Sequence, residues 1–205
     1  MSSIKLTADS GGGTFELKAP SSGSNARVLT VPDTASGTVL TTTSPKAGNI
    51  IQVVQTEKTD AFTSTSTSYV DITGLTANIT ITGSNKVLVV MSVSTGSTNA
   101  RFNYFKLIRG STHIFKGDQV GSHRPSLTFM ESVGLYNTGA ITTKGITYLD
   151  SPGAGTHTYK LQGAVQGGTG ELCVNTSSRD SDASDPPNNN DPRTPSSIIL
   201  MEVAV

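Results

Sequence analysis

From Asn49 onward the sequence is cut by Gly, Asp, Asn and Pro into about eleven short apolar runs. They read "NIIQVVQTEK", "SYVDI", "ANITI", "KVLVVMSVS", "RFNYFKLIRG", "HIFKG", "SLTFMESVGLY", "KGITYLD", "HTYKLQGAV", "GELCVN" and "SIILMEVAV". Short strands with turn residues at this density predict an all-β, antiparallel sandwich. Several runs alternate cleanly. Phe102, Tyr104 and Lys106 fall on one face and Asn103, Phe105 and Leu107 on the other, because successive strand side chains point to opposite faces. Aromatics on both faces predict a subunit contact there. "KVLVVMSVS" and "SIILMEVAV" are nearly continuous, as expected of central strands covered by the core on one face and by a subunit or loop on the other. A hairpin turn is predicted at Arg109, Gly110 and Ser111.

Residues 1–48 differ. Beyond the initiator they hold only nine large apolar side chains, and ten of the eleven aromatics lie after them. Yet Ile4 and Leu6 alternate with Lys5 and Thr7, and Phe15 and Leu17 with Glu16 and Lys18, while "VLTV" brings Leu29 and Val31. An isolated two-stranded hairpin is marginal in water, so these strands are expected to be completed by other chains. Pro45 and Gly48 mark a joint. The expected division is an attachment or intertwined stalk segment, 1–48, and a β-sandwich domain, 49–205.

Ser and Thr together exceed a quarter of the 205 residues, Gly adds 21, and the hydrophobic fraction is 34%. Lys plus Arg equals Asp plus Glu at 15 each, so no global field draws nucleic acid, and no such partner is expected. No stretch approaches the ~20 apolar residues that span a bilayer, and no membrane insertion is expected. The start "MSSIKLTADSGGG" lacks the apolar core of a secretory signal, so a soluble cytosolic chain is expected. Cys173, the single cysteine, stands in the alternating run "ELCVN" and reads as a buried small hydrophobe.

Candidate chemistry is sparse. In "SRDSDASDPPNNNDPR", Asp180, Asp182 and Asp191 fall at positions one, three and twelve of an EF-hand-like count, but Asp185 stands where that loop needs glycine. A solvated loop between the last two strands is expected, without metal or cofactor. Of His113, His123 and His157, His123 lies beside Arg124 in a long polar connection, and His157 reads as a turn residue. Glycosidase chemistry needs paired carboxylates, and neither Glu131 nor Asp150 sits in a recognisable constellation. No catalytic residue is assigned and no enzyme is expected. Asn78-Ile79-Thr80 and Asn175-Thr176-Ser177 match a glycosylation acceptor pattern, which means little in a cytosolic chain.

"GNIIQVVQTEKTDAFTSTSTSYVDITGLTANIT", "FKLIRGST", "YLDSPGAGTHTYKLQ" and "SSIILMEVAV" resemble the C-terminal jelly-roll module of bacteriophage tail-fibre and related appendage proteins. The N-terminal "IKLTADSGGGTFELKAP" and "RVLTVPDTASGTVLTTT" are similar to the repeat unit that precedes such modules. The resemblance implies a virion protein and a homotrimer. Ile4, Leu6, Phe15, Leu17, Leu29 and Val31 would attach to other virion proteins or intertwine, and the jelly-roll head would contact a host-surface glycan or protein. Receptor-contact candidates are His123 and Arg124 in one loop, and Arg179, Asp182, Asp185 and Asn189 in the acidic loop. Alternatives are a capsid decoration protein of the same fold and a free carbohydrate-binding module.

Overall fold

The computed structural model describes residues 3–7, 11, 14–18, 45–97, 102–119, 121, 126–132, 140–167, 170–178 and 193–205. The chain divides into two compact units, Met1–Val39 and Leu40–Val205. In the first, β1 (Ser3–Thr7) and β2 (Thr14–Lys18) pair antiparallel, with Ile4 opposite Leu17 and Leu6 opposite Phe15. Leu29 and Val31 lie outside the described residues.

In the second unit the described residues form eleven strands, in the order β3 (Ile50–Lys58), β4 (Phe62–Ser64), β5 (Val70–Ile81), β6 (Lys86–Ser97), β7 (Phe102–Arg109) and β8 (Thr112–Ile114), followed by β9 (Phe129–Ser132), β10 (Thr142–Asp150), β11 (Gly155–Val165), β12 (Leu172–Val174) and β13 (Ser196–Val203). One sheet runs β3-β13-β6-β12-β4 with β10 on the other edge of β6, and the second runs β5-β11-β7-β8 with β9 also on β7.

The register simplifies this. Along one edge of β6, β13 pairs with residues 86–92 and β12 with residues 95–97. β3 then pairs with β13 and β4 with β12, so β12 and β13 occupy one strand line, as do β3 and β4. β8 and β9 likewise share the free edge of β7. Each sheet therefore has four lines: β10, β6, β12/β13 and β3/β4 in the first, and β5, β11, β7 and β8/β9 in the second. Starting from β3, the chain visits the sheets in the order first, second, first, second, second, first, second, first. This antiparallel double-sheet arrangement is a jelly-roll β-sandwich.

The core lies between the sheets. Ile72, Leu75, Ile79 and Ile81 of β5, Phe105 and Leu107 of β7, and Tyr159 and Leu161 of β11 face Val87, Val89, Met91 and Val93 of β6 and Ile198 and Leu200 of β13. Phe105 stacks on Phe129 at 4.4 Å. Cys173 is buried as expected, and so are Leu172 and Val174 on either side of it, so β12 is covered on both faces. Gly110 turns the β7–β8 hairpin with φ 59°, a conformation glycine adopts without steric cost.

Among the described residues no loop covers the second face of the two continuous apolar runs, which leaves it to the subunit that the expectation also allowed. Leu88, Val90, Ile199, Met201 and Val203 point outward and are half-buried, while Val53 and Leu149 beside them are 57% and 48% exposed. A continuous apolar run in a period-two element specifies two apolar faces, and the core uses only one.

Glu202 takes the inward position of β13 that follows Ile198 and Leu200, a carboxylate where the alternation otherwise places an aliphatic side chain, and it is buried. It accepts hydrogen bonds from Gln52 Nε2 (2.6 Å), Asn85 Nδ2 (2.8 Å), Thr82 N (3.1 Å) and Thr82 Oγ1 (3.2 Å), closing the β5–β6 turn. Burial pushes its pKa up, but the bonds from Asn85, Gln52 and Thr82 outweigh burial and hold it below the usual carboxylate range. A depressed native pKa contributes stability above the unfolded value of about 4.3, and that contribution is lost as pH falls through the native value. Glu202→Gln is thus expected to lower the urea midpoint at neutral pH, since its amide would turn a donor towards Gln52. Wild type and variant should converge as the pH falls below the usual carboxylate range, where the native carboxyl takes up its proton. Parallel pH profiles would show that Glu202 is not the titrating group.

Candidate functional site

The polar interior of the described residues is concentrated at one end of the sandwich, around the end of β6, the starts of β7 and β10, and β12. Asn175 sits there, just past β12, with φ 64° and no exposed surface. Among non-glycine residues Asn tolerates the left-handed region comparatively well. Its Nδ2 donates to Lys58 O (2.8 Å) and Asp60 O (3.0 Å), carbonyls left over where β3 gives way to β4. Its Oδ1 accepts from Ser196 Oγ (2.5 Å). Its backbone N donates to Ser94 O (2.9 Å), and its carbonyl accepts from Thr194 N (3.3 Å).

Those bonds clamp both feet of the acidic loop. The chain leaves the strand line at Asn175 and rejoins it at Ser196, whose Oγ accepts from Ser94 N (2.9 Å). Ser94 Oγ donates to Pro195 O (3.2 Å) and lies 3.1 Å from Thr143 Oγ1. Gly96 permits the close approach, because a Cβ there would lie 2.7 Å from the Thr176 carbonyl oxygen. Lys58 is buried beside the clamp with its ammonium paired to Asp60 Oδ2 at 2.9 Å, and its stem packs against Gly74.

A second tie joins the two sheets at the same end. The buried Glu131 carboxylate of β9 accepts from Thr142 Oγ1 (2.6 Å) and Thr95 Oγ1 (3.2 Å), with Lys144 Nζ at 3.0 Å. Opposite it in register, buried Asn103 donates to Gly96 O (3.2 Å) and Glu171 O (3.4 Å).

At the other end Asp150 closes β10. Its Oδ2 takes Arg109 Nη1 at 2.6 Å and the Tyr159 hydroxyl at 2.7 Å. Burial and then the bond to Asp150 push the Tyr159 pKa well above the usual tyrosine range, so the phenol keeps its proton. Thr142, which binds Glu131, and Asp150 stand at opposite ends of β10, eight residues or about 26 Å apart. Glu131 and Asp150 are not brought together, and each is occupied by structural partners.

His113 Nε2 lies 3.3 Å from Thr128 Oγ1, and burial first, with Lys106 and Lys116 behind it, lowers its pKa. His157 Nε2 lies 3.0 Å from Gly153 O, but the residue is the third of β11, paired with Ile79, and not the turn residue expected. His123, Arg124, Arg179, Asp182, Asp185 and Asn189 lie outside the described residues. Asn175 was legible in the sequence only as part of an acceptor pattern, and the structure gives it another use, with both amide protons donated internally. The signal available was an Asn ending an apolar run at the edge of a polar loop.

What these elements define is a jelly-roll domain whose described polar interior is committed to holding loops and sheets together. No family model matches the chain. No curated protein matches it. Among solved structures it is similar to chains of infectious bursal disease virus. The Gx strain matches at 12% identity and TM-score 0.36, over 98% of this chain and 45% of that one. The Gt strain matches at 13% identity and TM-score 0.35, over 94% and 47%. A VP2 subviral particle of the same virus matches at 13% identity and TM-score 0.33, over 94% and 47%. The chain spans less than half the length of these chains. The fold assignment rests on the strand order described above and not on them.

Proposed function

We propose that the protein is a non-enzymatic structural protein of a virus particle, an appendage of the bacteriophage type. Residues 1–48 hold it to other virion proteins and join three chains. The jelly-roll domain, 49–205, meets a host-surface glycan or protein through loops at its polar end. The observation that carries this reading is the clamped base of the acidic loop. A strand line is interrupted, a polar segment is let out, and both feet are fixed by one fully satisfied buried Asn175. Recognition residues are commonly carried on loops held by a rigid scaffold, and several copies on one particle multiply weak contacts through effective concentration.

Replacing residues 180–191 with a short Gly-Ser linker tests it. The variant is expected to keep its melting temperature to within a few degrees, because the Asn175 clamp lies outside the replaced segment. It is expected to lose the ability, when added in excess, to slow adsorption of the particle to its host. A folded variant that competes as well as wild type would sink the recognition role. Labelling concentrated over the capsid shell rather than the tail would end the tail-fibre assignment.

A further inference from the structure

The outer face of the first sheet is apolar where a solvated sheet carries polar side chains. The register places Val53, Met201, Leu88 and Leu149 in one row across its four lines. The next row reads Gln55, Ile199, Val90 and Thr147. A third places Val203 beside Lys86, with exposed Ile50 at the edge. Four lines about 4.8 Å apart and three rows about 6.8 Å apart cover roughly 400 Å². The largest apolar patch on a soluble chain commonly covers about 300–600 Å² and is often functional. A stable two-chain contact buries about 800 Å² per partner, with an apolar centre and a polar rim, so this patch has the extent of such a centre.

The arrangement of the patch identifies its occupant. It is symmetric about the midline between β13 and β6. Each outer line carries one aliphatic and one polar residue in the same two rows, Val53 and Gln55 on β3 and Leu149 and Thr147 on β10. The inner lines set Met201 and Ile199 against Leu88 and Val90. A half-turn about an axis along that midline lays Val53 over Leu149, Met201 over Leu88, Ile199 over Val90 and Gln55 over Thr147. Apolar meets apolar and polar meets polar at every position of both rows. In the third row Val203 lies over the aliphatic stem of Lys86, which can cover it while the ammonium reaches water. Self-complementarity of one patch is the requirement of an isologous, twofold contact. We infer that this face binds a second copy of the same chain, sheet against sheet about a twofold axis. Where residues 1–48 join three chains, the twofold contact joins two such trimers. The contact does not depend on the virion reading, and either can fail alone.

Light scattering on the full chain tests it. Wild type is expected at an even multiple of the 21.2 kDa chain mass, and Met201→Glu and, separately, Leu88→Lys are expected to halve that mass with an unchanged circular dichroism spectrum. A monomer, a simple trimer, or an even assembly that neither substitution divides overturns the inference. Geometry is tested by cross-linking. Val53→Cys and Leu149→Cys chains mixed in equal amounts are expected to join through a short bis-maleimide, whereas neither joins to itself, and Cys173 is buried and does not compete. Preferential joining of either variant to itself overturns the twofold arrangement.

Discussion

Replacing Asn175 with Ala is expected to lower stability by about 3–5 kcal/mol, among the largest effects of any single polar substitution in the described residues. The change strands the buried carbonyl of Lys58 and the half-buried one of Asp60, and removes the acceptor of the Ser196 hydroxyl. Each buried group left without a partner costs about 1–3 kcal/mol. It also puts Ala at φ 64°, where a non-glycine side chain adds roughly 1 kcal/mol. For a domain of this size the loss corresponds to a fall of about 6–20 °C in melting temperature. Asn175→Gly separates the contributions, since it removes the hydrogen bonds and the strain together and should fall short of Ala by the strain alone. Asn175→Asp should be no better than Ala, because it turns a carboxylate towards two carbonyl oxygens. Thermal melts of the three variants check the order, and a change below 1 kcal/mol for Asn175→Ala would show that the clamp does not hold the loop base.

Asp150→Ala is expected to cost about 3 kcal/mol. Asp150 belongs to the first sheet, while Arg109 and Tyr159 belong to the second, so its carboxylate ties the sandwich across its core. Removing one member of a buried ion pair costs about 3–5 kcal/mol. The lower end applies because Arg109 keeps a quarter of its side chain in water. Tyr159→Phe is expected to cost about 1–2 kcal/mol, since the carboxylate then keeps Arg109 and only one hydroxyl is lost. Urea midpoints of the two single variants and the double variant give the coupling. If Tyr159→Phe costs as much as Asp150→Ala, the phenol and not the ion pair carries the tie.

Much of the sandwich was legible in the sequence. Strand existence follows from short-range alternation, as at Phe102 to Leu107, and the hairpin at Arg109 to Ser111 from its glycine. What was not legible is that β12 and β13 are one line with the acidic loop let out of it. That fact is set by partners far away in sequence, such as Cys173 against Gly96 and Ile198 against Met91. The apolar outer face was read as covered, because a continuous run states that two faces are apolar and not what meets the second one. The candidate site was legible only as loops. His123, Arg124 and the acidic-loop residues were chosen for polarity, whereas Asn175 looked unremarkable because its role depends on carbonyls contributed by β3 and β4.

The position of β13 has a consequence for how the molecule is made. It pairs with β3 on one side and β6 on the other, so the last strand of the sandwich to leave the ribosome is a central one. Until it arrives, β3 and β6 each hold an open row of amide and carbonyl groups beside apolar surface. Such edges recruit other strands, and the long closures needed to fill the gap make folding slow. Synthesis therefore passes through a stage in which nearly the whole domain exists and its first sheet has a slot in the middle. Nascent chains stalled before Ser196 should be the species that chaperones capture and that aggregates when they do not.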